Sequence, residues 1–63
     1  MLYEGEIKGL RYANLAGKLI SAANLYNLEL SINEQEVGLL FKTIYFVIQG
    51  DERNCLDFIA DLG

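Results

Sequence analysis

Few side chains in this sequence are of the kinds that carry out catalysis. Cys55 is the only cysteine, and the chain has no histidine. A cysteine nucleophile needs a neighbouring base to form its thiolate, and histidine is the commonest such base. Cys55 also falls in the apolar stripe of a predicted helix, so we interpret it as a small core residue. The sequence therefore predicts no nucleophilic cysteine.

Two pairs of neighbouring acids are candidates for acid–base chemistry: Glu34 with Glu36, and Asp51 with Glu52. Each pair lies in the first turn of a predicted helix, where negative charge stabilises the helix dipole. We therefore interpret both pairs as helix-capping residues. The sequence has no cluster of Cys and His for zinc, and no glycine-rich loop followed by Lys-Ser or Lys-Thr for a phosphate. We expect no enzyme activity, no cofactor and no metal.

Three amphipathic segments predict an all-α domain, a small three-helix bundle that occupies residues 1–63. The helices are expected near 10–26, 33–49 and 51–62. The strongest signal is in 33–49, where large apolar residues recur at steps of three and four, as on one side of a helix. These residues are Val37, Leu40, Phe41, Ile44, Tyr45 and Ile48. Asn33 is placed to cap the start of this helix.

Two segments leave the choice between helix and strand open. In residues 1–8, small or apolar residues alternate with charged ones as in a strand, whereas Glu4 and Lys8 have the spacing of an ion pair on a helix. Residues 43–48 are rich in β-branched and aromatic types, which favour strands. That segment shows no period-two alternation of polarity, and a short chain has little with which to cover both faces of a strand. We therefore predict helix there.

The size of the chain points to association. A domain of 63 residues buries only about 60% of the surface that its unfolded chain exposes, so it is marginally stable alone. Oligomerisation is a common remedy where disulfides and metals are lacking. On the predicted helix, Leu39, Thr43 and Phe46 lie away from the main apolar stripe. We expect them to form the interface of a homodimer or higher oligomer, in a small acidic regulatory or adaptor protein that self-associates or binds another protein.

The charge distribution argues against binding of nucleic acid by its phosphates. The net charge is −4. Residues 1–26 hold two acids and three bases, a net of +1, whereas residues 27–63 hold seven acids and two bases, a net of −5. An acidic half could instead imitate DNA toward a DNA-binding protein, which is the second functional hypothesis. No run approaches the ~20 apolar residues that span a bilayer, so we expect no membrane partner and a cytoplasmic location.

Three short stretches carry a likeness to a known family. They are Tyr12–Ala16, Tyr26–Leu30 and Lys42–Ile44. In these stretches the chain resembles the histidine phosphocarrier protein of the bacterial sugar phosphotransferase system. The resemblance puts Tyr12 at the family's catalytic histidine, Asn14 at its arginine and Thr43 at its regulatory serine. It implies an open-faced α+β sandwich with a four-stranded sheet, and a regulator that lacks the active histidine. This is the third functional hypothesis.

Overall fold

The computed structural model describes residues 1–62 and shows an α+β fold. Along the chain, three strands and two helices follow in the order β1 (Leu2–Leu10), α1 (Leu15–Leu25), β2 (Glu29–Val37), β3 (Phe41–Gln49) and α2 (Glu52–Leu62). The prediction of an all-α three-helix bundle is wrong. Two of its three helices exist in part, and strands replace the helix that carried the strongest periodic signal.

The three strands form one sheet in the order β1-β3-β2, with β3 antiparallel to both neighbours. The two outer strands therefore run parallel to each other, and α1 connects them across the sheet. This is a split β-α-β unit, in which a third strand lies between the two that the helix joins. Both outer strands are nine residues long and each has one edge with no strand beside it in the described residues.

The predicted helix 33–49 is in fact the end of β2, a tight turn and the whole of β3. Gly38 makes the turn with a φ of +72°, a left-handed conformation that glycine adopts without strain. In β3 the side chains of Ile44, Phe46 and Ile48 point to one face and are buried there. Apolar residues also occupy the opposite face of this central strand. The polarity of β3 therefore does not alternate along the chain, which is why the sequence predicted a helix there.

The ambiguous residues 1–8 belong to β1, which pairs with β3 along its full length from Leu2 opposite Gln49 to Leu10 opposite Phe41. The alternating pattern was thus the correct signal, and the Glu4–Lys8 helix spacing was not. Close packing explains Gly5, because a Cβ atom there would lie 2.7 Å from the ring of Phe46.

The first helix is confirmed over 15–25, with residues 10–14 forming the strand end and a loop instead. Asn14 caps its start, and its side-chain oxygen accepts a hydrogen bond from the backbone N–H of Gly17 at 3.0 Å. At the other end Asn27 has a φ of +55°, in the left-handed region of backbone conformation. The N–H groups of Asn27 and Leu28 donate to the carbonyls of Asn24 and Ala23, which is the Schellman pattern.

The last helix is confirmed within one residue of its predicted span, at Glu52–Leu62. The carboxylate of Asp51 accepts a hydrogen bond from the N–H of Arg53 at 2.9 Å and so caps the start. Both helices pack on the same face of the sheet and enclose one core. The buried apolar residues of this core are Leu19, Ala22, Ala23, Ile44, Phe46, Ile48, Cys55 and Phe58. No helix within residues 1–62 has the length and apolar character to cross a membrane.

Candidate protein-association surface

The helices cover one face of the sheet, and the opposite face, here called the open face, has no element packed on it within residues 1–62. Strand alternation assigns the open face to the odd-numbered residues of β3, because the even-numbered Ile44, Phe46 and Ile48 point into the core. Phe41 and Tyr45 are therefore on the open face, and both are exposed. A sheet with one bare face is the main asymmetry of this molecule.

Large exposed apolar side chains gather at one end of the open face, where β1 ends and the β2–β3 turn lies. We call this cluster the distal patch. Its members are Leu10, Val37, Leu39, Leu40, Phe41 and Tyr45. Such a cluster exceeds the singly scattered exposed apolar residues that are normal on a protein surface.

The pairing of the strands places the central residues of the distal patch side by side. Phe41 pairs directly with Leu10 on one side and Val37 on the other, which makes one apolar row across all three strands. Directly paired residues in neighbouring strands are within van der Waals reach of each other. Although packed in this row, the Phe41 side chain remains 54% exposed. The row is therefore a formed apolar surface with no cover.

The three residues predicted to form an interface do not share a surface. Leu39 lies in the turn and is 81% exposed, so it belongs to the distal patch. Thr43 is on the open face but only 3% exposed, between its neighbours in the sheet. Phe46 is also 3% exposed and packs in the core against Tyr3 and Phe58, with ring centroids 6.2 and 5.8 Å away. Their grouping on one helix face is wrong because that helix is a strand hairpin.

The helix prediction put Val37, Phe41 and Tyr45 in a buried core stripe, whereas all three side chains are exposed. A usable signal was present, since Phe41, Thr43 and Tyr45 follow at steps of two with Lys42 and Ile44 between them. Read as a strand, this spacing puts two aromatic residues on one face. Gly38, as a turn residue, would have supported that reading.

The helix-covered face of the same end of the sheet is charged instead of apolar. The ammonium of Lys42 lies 3.1 Å from a carboxylate oxygen of Glu34, and the Lys42 side chain is mostly buried. Arg11 lies 3.3 Å from Glu36 in a second, more exposed ion pair. The pair Glu34 and Glu36 therefore does not cap a helix and is held by bases. The two faces of the distal end thus differ sharply in polarity.

The remaining chemical candidates are a cysteine in the core and a tyrosine beside two acids. Cys55 is a free cysteine fully buried in the core, and its thiol lies 3.8 Å from the carbonyl oxygen of Met1. Partial burial, together with the carboxylates of Asp61 and Asp57, raises the pKa of Tyr26. Within residues 1–62 no three His, Cys, Asp or Glu side chains are grouped to hold a metal ion.

Comparison of the chain with protein-family models, with curated proteins and with solved structures finds no match. The resemblance to the histidine phosphocarrier family gains no support from these comparisons. Helices on one face of a sheet do make an open-faced sandwich, but the described sheet has three strands where the resemblance implies four. Thr43, which the resemblance put at the regulatory serine, is buried in the central strand.

Proposed function

We propose that this chain is a non-enzymatic association protein that binds a second copy of itself through the distal patch. The observation that carries the proposal is the uncovered apolar row of Leu10, Phe41 and Val37, with Tyr45 on the same face. Burying exposed apolar surface stabilises a complex by about 25 cal/mol per Å² before the costs of association. In the cytoplasm, where we place this activity, a free thiol such as Cys55 stays reduced.

The identity of the occupant follows from the composition of the surface and from the size of the chain. The centre of the patch carries no charge, so an apolar partner surface fits it best. The distal patch of a second copy is such a surface and has the same extent. Two patches related by a twofold axis form the isologous contact that is commonest in oligomers. A domain of this size also gains most from the added burial. A further protein could bind the assembled oligomer as an adaptor partner.

The second functional hypothesis, imitation of DNA by the acidic residues 27–63, has less support than association through the distal patch. Glu34 and Glu36 are each engaged by a base, Lys42 and Arg11, on the described surface. These pairs reduce the density of free negative charge along β2. The distal patch remains the stronger basis for a function.

The test uses two variants of the 63-residue chain that add the same charge to the same strand and face. Phe41→Glu places a carboxylate in the patch, and Gln49→Glu places one at the far end of β3, where the side chain is also exposed. Size-exclusion chromatography with light scattering should show Phe41→Glu at half the wild-type mass and Gln49→Glu at the wild-type mass. Circular dichroism should be the same for all three. Monomeric wild-type protein at high concentration, or an unchanged mass in Phe41→Glu, would overturn the proposal.

A further inference from the structure

The outer edge of β1 is a second surface without a partner, and it differs from the distal patch in kind. It offers backbone hydrogen-bonding groups along nine residues, Leu2–Leu10. The split β-α-β arrangement leaves β1 outermost, with β3 on its other side. An unpaired edge of this length is a template for another strand, and natural proteins either protect it or use it.

The hydrogen bonds at the two ends of β1 show which of its residues face this edge. Met1 and Gly50 exchange both backbone bonds, at 2.8 and 3.1 Å, and the N–H of Arg11 donates to the carbonyl of Leu40 at 2.8 Å. Because bonding direction alternates along an antiparallel strand, the odd-numbered residues of β1 bond to β3. The even-numbered ones direct their N–H and C=O groups outward. These are Leu2, Glu4, Glu6, Lys8 and Leu10, which are all exposed, and of their outward groups the Leu10 carbonyl already accepts a hydrogen bond from the N–H of Ala13 at 3.0 Å.

The charged side chains along this edge are complementary to those of the same edge in a second copy. When β1 is paired antiparallel with a second β1 about a twofold axis at Ile7, Glu6 of each copy lies opposite Lys8 of the other copy. In that register no like charges face each other, Ile7 meets Ile7, and Leu10 lies opposite Glu4. An axis at Glu6 would form two Glu4–Lys8 pairs but would set Glu6 against Glu6 at its centre, and an axis at Gly5 would set Glu4 against Glu6. Like charges directly opposite are destabilising, so the Ile7 register is favoured.

The other edge of the sheet lacks this complementarity. β2 carries three glutamates, Glu29, Glu34 and Glu36, and no base. Two paired β2 strands could therefore form no cross-strand ion pair in any register. Neither Glu6 nor Lys8 takes part in an ion pair within the described residues, so both are free to bind across the edge.

We infer that β1 pairs edge to edge with β1 of a second copy, antiparallel and in the Ile7 register, to form a continuous six-stranded sheet. The contact consists of backbone hydrogen bonds from the even-numbered residues and of two Glu6–Lys8 pairs. Of the distal patch it involves Leu10 alone and leaves Val37, Phe41 and Tyr45 uncovered, so it can be tested separately from the proposed function.

A proline tests the edge without disturbing the fold. In the Phe41→Glu background, which removes association through the patch, Glu6→Pro deletes one outward N–H and leaves every β1–β3 bond intact. Glu6→Thr is the matched control, since it removes the same carboxylate but keeps the N–H. Light scattering should show a monomer for the proline variant and a dimer for the threonine variant. A Phe41→Glu parent that is already monomeric, or a proline variant that remains dimeric, would overturn the inference.

The register has its own test, which does not depend on tolerance of proline. In the same background, Glu6→Lys alone and Lys8→Glu alone each turn two attractive pairs into repulsive ones, and the dimer dissociation constant should rise about tenfold. The double variant Glu6→Lys with Lys8→Glu restores both pairs and should bring the constant back to that of the parent. Sedimentation equilibrium gives the constants. Absence of rescue in the double variant would refute the Ile7 register.

Discussion

Two phenylalanines on β3 show how strongly the face of a strand decides the role of a residue. Phe46 lies in the core between Tyr3 and Phe58, whereas Phe41 lies in the distal patch on the opposite face. The two are five residues apart on the same strand, so they point to opposite sides. A change at one should act on folding, and the same change at the other should act on association.

We therefore predict that Phe46→Ala lowers the free energy of unfolding by about 3–5 kcal/mol, the usual cost of emptying a buried aromatic site. Phe41→Ala should cost less than about 1 kcal/mol within the isolated chain, because half of its side chain is already in solvent. Urea titrations of both variants in the Glu6→Pro background, at protein concentrations low enough to dissociate the patch-paired dimer, would compare the two. Equal losses would mean that the faces of β3 are assigned incorrectly.

At the scale of elements, the end of α1 depends on one residue with an unusual backbone. Asn27 holds a φ of +55° and lets the chain reverse into β2. That conformation is sterically unfavourable for alanine by about 1–2 kcal/mol, whereas glycine adopts it without strain. Asn27→Ala should therefore lower the unfolding free energy by roughly that amount, and Asn27→Gly should leave it nearly unchanged. Thermal unfolding of both variants measures this. A larger loss for glycine than for alanine would contradict the role given to Asn27.

The helices were predictable because their signals are local. Asn27 and Asp51 mark helix ends by hydrogen bonds within a few residues, and the sequence placed the end of α1 and both ends of α2 within one residue. It began α1 five residues too early, because the cap at Asn14 was not recognised. Cys55 was also correctly expected in the core. These features depend on side chains that interact with their own backbone neighbourhood, so no knowledge of the remaining chain was needed.

The strands were not predictable in the same way, because their stability comes from distant partners. Residues 43–48 are apolar on both faces since β3 is central: Ile44 and Phe46 pack under the helices, while Tyr45 lies on the open face. The apolar spacing that resembled a helix is the sum of these two faces. The site was missed for the same reason. A surface made by Leu10, Val37 and Phe41 exists only once three strands are in register.

At the scale of the whole molecule, the two proposed contacts are geometrically compatible. Pairing through β1 keeps both open faces on the same side of a six-stranded sheet, because its twofold axis is perpendicular to the sheet. Packing of distal patches requires a twofold axis that lies between two sheets. Where these perpendicular twofold axes intersect, they generate a closed tetramer with dihedral symmetry, which does not extend into a fibre. Two stacked sheets about 10 Å apart would then cover both exposed features of the chain.

This arrangement predicts a specific series of masses. The wild-type chain of 7.1 kDa should assemble as four copies. Phe41→Glu should leave the edge-paired dimer, Glu6→Pro should leave the patch-paired dimer, and the two changes together should give a monomer. The two dimers should also differ in their response to salt, since screening weakens the Glu6–Lys8 pairs and spares the apolar row. Light scattering at low and high salt would measure all four proteins. A wild-type dimer that either single change dissociates to monomer would show that edge and patch belong to one interface, and the dihedral tetramer would be wrong.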